Sequence, residues 1–147
     1  MLSYEEVISS FLAKVTEYHF CYFTDDENNT TAINLLRGAC VGFYTCRYDL
    51  SDRDDENQTF NFEVEDNREK NYIIDVLSDG MIVYWLMPYV YKSENYENLL
   101  TPTEFSEHSP SQFLRQIRTT FKETKDEFSR RVNEYSYEFA DLTQLNM

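Results

Sequence analysis

Apolar positions recur at helical spacing from the start of the chain. Val7, Ile8, Phe11, Leu12 and Val15 fall at intervals of three and four, which puts them on one face of a helix. Ser3 and Glu6 stand three apart just ahead of this repeat. That is the capping-box spacing, in which each side chain satisfies the other residue's orphan backbone donor. A helix is predicted from residue 4 to about 19. The stretch TDDENNTT, residues 24 to 31, has no apolar period and is full of turn formers, so it predicts a loop. A second helix is expected from Thr31 to Tyr48, where Ile33, Leu36, Ala39, Cys40, Phe43 and Tyr44 return at three- and four-residue steps. Gly38 and Gly42 lie four apart on it, a spacing that lets another helix approach closely. Each glycine costs about 1 kcal/mol relative to alanine in a helix, so tertiary contacts must hold this one.

The pattern then changes. Residues 49 to 69, DLSDRDDENQTFNFEVEDNRE, hold nine acidic side chains against Arg53 and Arg68. An acidic loop is predicted over 49–66, with a short extended segment where Phe60, Phe62 and Val64 alternate with polar residues. Its carboxylates read as solvated, and the run does not match the glycine-containing calcium loop. Asp66 or Asn67 can cap a third helix, which carries Ile73, Ile74, Leu77, Met81, Val83, Trp85 and Leu86. Its most apolar stretch, SDGMIVYWLMPYVY at 78 to 91, has an uninterrupted run only from Met81 to Met87, far short of the ~20 residues a bilayer crossing needs. A core helix is expected, with Met81 and Trp85 as anchors, kinking or stopping near Met87 because Pro88 removes a donor and crowds the preceding turn.

A polar connection is predicted from Lys92 to His108. Ser109 is a good cap, Pro110 suits the first helical position, and Gln112 stands where a capping box wants it. Phe113, Leu114, Ile117, Phe121, Thr124, Phe128, Val132 and Tyr135 then draw one stripe along a helix on the order of 40 Å long. Leu114, Ile117, Phe121 and Phe128 are its expected core anchors. The fold class is therefore all-α: a small helical bundle in one domain, 1–147, with one long C-terminal helix, the acidic loop, and a tail over 138–147.

Charge narrows the function classes. With 27 acidic and 13 basic residues the formal net charge is −14, which repels nucleic acid and anionic membranes and favours protein partners. Twelve Tyr and 11 Phe are more than a core of this size needs, which leaves tyrosine for an interface. Cys21, Cys40 and Cys46 form an odd set without zinc spacing and read as reduced, partly buried thiols of a cytosolic chain. Glu5, Glu6 and Lys14 exclude a secretory signal over the first twenty residues, so the Asn29-Thr30-Thr31 sequon carries no meaning. His19 and His108 lie beside no Cys, Ser or second His, and three glycines cannot build a phosphate loop. No catalytic, metal or cofactor residue is expected, and the protein is read as non-enzymatic.

One constellation stands apart. Arg115, Arg118, Lys122 and Lys125 recur at threes and fours beside the apolar stripe of the long helix, and residues 115 to 131 hold six basic against three acidic side chains. Such a stripe can be a solvated face, or it can close on the acidic loop of the same chain. The sharper expectation is that it faces Asp52, Asp54, Asp55 and Glu56 of another subunit, a head-to-tail contact that makes rings when its rotation closes. Tyr137, Phe139, Leu142 and Leu145 give the tail apolar points for local packing or for a neighbour.

The succession DVLSDGMIVYWLMPYV, a linker, and SPSQFLRQIRTTFKETKDEFSRRVNEYSYEFADLTQL resembles a group of bacteriophage head-to-tail connector proteins, the small helical adaptor or neck subunits that dock on the portal. The resemblance rests on the grouping of Met81, Trp85 and Pro88, the start at Ser109, and the NEYSYEFADLTQL ending at 133 to 145, and it covers the C-terminal half. It implies a structural virion protein, assembled in the host cytoplasm, that forms a homo-oligomeric ring. The ring would join the portal protein to the next neck or tail protein and let DNA pass without specific binding, with no cofactor and no membrane. The alternative expectation is a small acidic inhibitor, either a DNA mimic or an immunity-type protein that blocks a basic enzyme. Four basic residues in register on the longest helix count against a DNA mimic.

Overall fold

A computed structural model describes residues 2–15, 30–99 and 110–139. Helix α1 (Tyr4–Val15) begins at its capping box. The Ser3 backbone N–H donates to Glu6 Oε2 at 3.0 Å, and the Glu6 N–H donates to Ser3 Oγ at 3.4 Å. Tyr4, Val7, Ile8, Phe11 and Val15 form its buried face. The predicted continuation to residue 19 and most of the 24–31 loop lie outside the described residues.

Helix α2 (Thr30–Gly42) ends earlier than the expected Tyr48. Phe43 and Tyr44 both fit the helical period, but the chain turns between them. Phe43 enters the core, 5.0 Å from the Tyr135 ring and edge-on to it, whereas Tyr44 is 76% exposed. Thr45 Oγ1 donates to the Val132 carbonyl at 2.6 Å and fixes this exit. Tyr44 is thus not part of the buried face that its spacing predicts.

Two short strands come next, β1 (Arg53–Asp54) and β2 (Thr59–Phe60), paired antiparallel with Arg53 opposite Phe60 and Asp54 opposite Thr59. The extended segment is therefore shorter than predicted: Phe62 and Val64 lie beyond β2 and pack, half-buried, against the core.

Helix α3 (Asn67–Leu99) is capped by Asp66, whose Oδ1 accepts the Arg68 N–H at 3.0 Å. Ile73, Val76, Leu77, Met81, Ile82, Val83, Trp85 and Leu86 are buried on it, and α1, α2 and the last helix all pack against it. By length and composition Asn67–Tyr91 passes for a membrane-crossing helix, with a mean hydropathy of 1.3. Of its most apolar 18-residue stretch 61% is nevertheless buried within the protein, as a core helix requires.

Pro88 does not stop the helix. It runs on to Leu99, so the first part of the predicted Lys92–His108 connection is helical. Proline inside a helix costs about 3 kcal/mol. The buried Ile82, Trp85 and Leu86 before it and the half-buried Val90 after it offset this, and the Pro88 ring itself is exposed.

Helix α4 (Pro110–Glu138) starts at the predicted proline. Ile117, Thr124, Phe128, Val132 and Tyr135 are buried and Phe121 is half-buried, as the apolar stripe predicts; the Leu114 side chain lies outside the described residues. The helix runs antiparallel to α3. Arg68 pairs with Glu138 at one end, Tyr72 Oη donates to the Arg131 carbonyl at 3.1 Å, and Phe128 lies over Gly80. Among the described residues the architecture is thus a small all-α bundle of four helices with a long C-terminal helix.

All three glycines of the chain serve close packing. A Cβ at Gly38 would meet the Tyr84 ring at 2.9 Å, and one at Gly42 would meet the Phe128 ring at 2.8 Å. At Gly80 it would lie 2.8 Å from Ala39 Cβ and 2.9 Å from the Phe128 ring. Ala39 Cβ is fixed to its backbone and cannot rotate away. Gly80→Ala is therefore expected to lower stability by about 1–2 kcal/mol, the overpacking cost offset in part by the better helix propensity of alanine. Gly38→Ala is expected to lower it less, because what must shift there is the root of the half-buried Tyr84 ring, a side chain that can turn, and not a Cβ fixed to its backbone. Urea titrations followed by Trp85 fluorescence check this order, and equal losses at both sites would refute it.

Candidate partner interface

The acidic segment is pinned to the rest of the chain rather than free. The Tyr4 N–H donates to the Gln58 carbonyl and the Phe60 N–H to the Leu2 carbonyl, each at 2.9 Å, and Ser3 bridges to Thr59. Phe60 is buried with its ring 5.3 Å from that of Tyr4. Gln58, at φ 57°, closes the turn in the left-handed region.

The carboxylates of this hairpin have separate tasks. Asp55 Oδ1 accepts the Tyr4 hydroxyl at 2.5 Å, and Asp55 also pairs with Arg37 and, at 3.7 Å, with Arg53. The Tyr4 hydrogen bond first, then that from Arg37, holds the Asp55 carboxyl below the usual range. Asp54 is lowered by its bonds from the Asn57 side chain and backbone and shapes the turn. Asp52 accepts from Asn61 Nδ2 at 2.9 Å. Asp55 is therefore tied within the chain, while Asp52, Asp54 and Glu56 hold no cation among the described residues.

The cations divide sharply. Lys14 pairs with Asp79 at 2.9 Å, Lys70 with Glu6 at 3.1 Å, Arg47 with Glu69, and Arg130 with Glu127 and Glu134. Arg131 reaches Glu127 at 2.9 Å and Asp79 at 3.5 Å. Together with Arg37, Arg53 and Arg68, every cation outside the stripe whose side chain is described has a carboxylate partner. In the stripe, Arg115, Lys122 and Lys125 are exposed and carry no ion pair among the described residues. Lys125 Nζ lies 5.8 Å from the Phe121 ring centre, and Arg118 is half-buried with contacts of its own.

The helical period explains the segregation. At 3.6 residues per turn Arg115, Arg118, Lys122 and Lys125 share one flank of α4 with Asp126, and Glu123, Glu127, Glu134 and Glu138 share the other, where Arg130 and Arg131 pair with Glu127 and Arg130 with Glu134. The antiparallel register that sets Phe128 over Gly80 carries residues 115–125 along the second half of α3. The acidic hairpin precedes the first residue of α3. The hairpin is held instead by Leu2 and Tyr4 at the start of α1 and by Arg37 on α2. The ion pairs described for the hairpin go to Arg37 and Arg53, not to the stripe.

Of the tail residues, Tyr137 is 86% exposed. Phe139 packs locally, 5.2 Å from the Tyr135 ring and 5.4 Å from Tyr72, with Arg68 above it, one of the two placements expected for the tail. Leu142 and Leu145 lie outside the described residues, as do His19, Cys21 and His108.

Two buried polar clusters escape the sequence pattern. Glu69, 1% exposed, accepts from Tyr135 Oη at 2.8 Å and Arg47 Nε at 2.7 Å. Ser78, fully buried, accepts from Lys14 Nζ at 2.7 Å and from Ser10 Oγ at 3.2 Å. Both clusters join helices distant in sequence, and only the burial of an otherwise solvated residue type marks them. An open groove of about 450 Å³ lies over residues 40–53, lined by Val41, Tyr44, Tyr48, Leu50 and the two free thiols. Burial pushes Cys40 up to about 12 and Cys46 up to about 11, so both stay protonated at neutral pH. Among the described residues no group of His, Cys, Asp and Glu is arranged to hold a metal ion.

Because the folded pKa of Asp55 lies below its unfolded value of about 3.9, its contribution is full above that pH and is lost as pH falls through the lowered value. Glu6 and Glu127 act in the same direction. Asp55→Asn is expected to reduce stability at pH 7 and to flatten the acid limb of the stability profile, measured by urea titrations from about pH 7 to 2. A parallel downward shift of the whole profile would mean that Asp55 anchors nothing through its charge. Compared with known proteins, the chain matches no family model, no curated protein and no solved structure.

Proposed function

We propose that this chain is a non-enzymatic structural subunit that meets an acidic protein surface through the basic flank of α4. One observation carries the reading. In a chain with about two acids for every base, the other described cations all pair internally, while Arg115, Lys122 and Lys125 face solvent without a carboxylate among the described residues. Cations held apart in a strongly negative molecule keep a positive field on one flank, and such a field steers and selects an acidic partner.

The assembly that best accommodates such a subunit is the one named by the resemblance, a connector ring between the portal and the next neck or tail protein, in a virion assembled in the host cytoplasm. The net charge of −14 supports a channel wall that lets DNA slide past without holding it. The acidic-inhibitor alternative is less favoured. Tyr4, Arg37, Asn57 and Asn61 already engage the carboxylates of the hairpin, so they do not form an uninterrupted acidic track.

In DNA-filled particles of the producing phage, quantitative mass spectrometry is expected to find the chain at a fixed ratio to the portal subunit. The Arg115→Glu, Lys122→Glu double variant is expected to keep its helical circular dichroism and its stability within about 0.5 kcal/mol, as exposed substitutions do, yet to be lost from particles. Particles that lack the wild-type chain would overturn the connector reading; full incorporation of the double variant would remove the basic flank from it.

A further inference from the structure

We propose that the acidic surface recognised by the basic flank of α4 is the hairpin of a second copy of this chain. The inference rests on the reading of that flank as an interface, but not on the resemblance. It starts from the carboxylates that the fold leaves without cations. Asp49, Asp52, Asp54 and Glu56 find none among the described residues. Asp49, Asp52 and Asp54 accept only from neutral groups, namely Ser51, Asn61, Asn57 and the Glu56 backbone N–H, and no bond is described for the exposed Glu56 carboxylate. Among the described residues Arg115, Lys122 and Lys125 on the flank and these four carboxylates on and beside the hairpin thus hold no ion pair.

Within one chain the ion pairs described for the hairpin go to Arg37 and Arg53, not to the flank. Phe128 over Gly80 fixes α4 on α3, and Leu2 and Tyr4 fix the hairpin beside the start of α1, so neither can shift without breaking buried contacts. Two different surfaces make a heterologous contact, in which each copy offers its flank to one neighbour and its hairpin to the other.

The hairpin suits the task because it is ordered before docking. Phe60 is buried, and the bond from the Tyr4 hydroxyl and the pairs with Arg37 and Arg53 hold Asp55, so little conformational freedom remains to be lost on association. Asp55 fixes the turn while Asp52, Asp54 and Glu56 present the charge. The flank is equally prepared, since Arg115, Lys122 and Lys125 are exposed on a helix whose apolar stripe is buried. The contact is electrostatic and mostly exposed, so salt must weaken it.

Sedimentation velocity on the full chain tests this with two charge reversals, Arg115→Glu with Lys122→Glu on the flank and Asp52→Lys with Glu56→Lys on the hairpin. The wild type is expected to associate at about 50 mM salt and to dissociate toward 1 M, as Debye screening shortens. Each reversal alone is expected to be monomeric. An equimolar mixture of the two is expected to associate again, because each variant then offers what the other lacks, and this recovery also shows that both are folded. Association of the hairpin variant alone, or a mixture that stays monomeric, overturns the inference. A wild type that is monomeric at low salt overturns it as well, while loss of the flank variant from particles would still uphold the flank as an interface for a different acidic partner.

Discussion

The backbone approach at Gly80 is the contact on which the rest of this fold depends. There α2 and α4 reach α3 at one point, with Ala39 Cβ and the Phe128 ring occupying the space that a side chain would need. The same ring covers Gly42, so Phe128 is held between the backbones of two helices. Once it is seated, the helical period places the later contacts along α4. Three residues on, Arg131 faces Asp79; four on, the Val132 carbonyl accepts from Thr45; seven on, Tyr135 meets Phe43. A shift of one residue would carry all of these to the wrong side, which is how one close contact specifies a register along the whole helix.

The polar groups near that core depend on the same seating. Asp79 and Ser78 lie one and two residues before Gly80 and are buried by the approach itself, so they need partners inside the bundle. Lys14 from α1 and Arg131 from α4 supply charges, and the cluster ties three helices together. Glu69 does the same near the start of α3, where Tyr135 and Arg47 converge on its carboxylate. Such networks add orientation more than net stability, because desolvating the charges consumes much of what their attraction returns.

Features set by neighbours in sequence were legible in it. The Ser3–Glu6 box, the Asp66 cap, the start at Pro110, the stripe of α4 and the tight Gly38 and Gly42 contacts all arise from local spacing. Three others depend on distant partners and were not. The period alone cannot tell whether Phe43 or Tyr44 turns inward, since the Tyr135 ring and the Thr45 anchor decide it from α4. Nor can composition show that Pro88 is carried through a helix by the burial of Trp85 and Leu86. The acidic segment reads as solvated because Asp55 finds Tyr4 at a separation of 51 residues and Arg37 at 18. The basic flank was visible as a pattern, but its significance was not. Only the ion pairs of the other cations set it apart.

That contrast bears on why the flank would persist. Lys and Arg side chains are long, and in a molecule with this acid excess a nearby carboxylate is the ordinary outcome, as Arg130 and Arg131 show on the opposite side of the same helix. Single exposed pairs of this kind contribute little to stability, so no strong folding force compels or forbids them. Arg115, Lys122 and Lys125 hold no carboxylate among the described residues although Asp126 stands one turn from Lys122, while Glu123, Glu127 and Glu134 lie on the other flank of α4 and the hairpin is anchored to Leu2, Tyr4 and Arg37. Folding does not require that separation. It has a physical consequence only when a second molecule is present, because the field of the flank then has a surface on which to act.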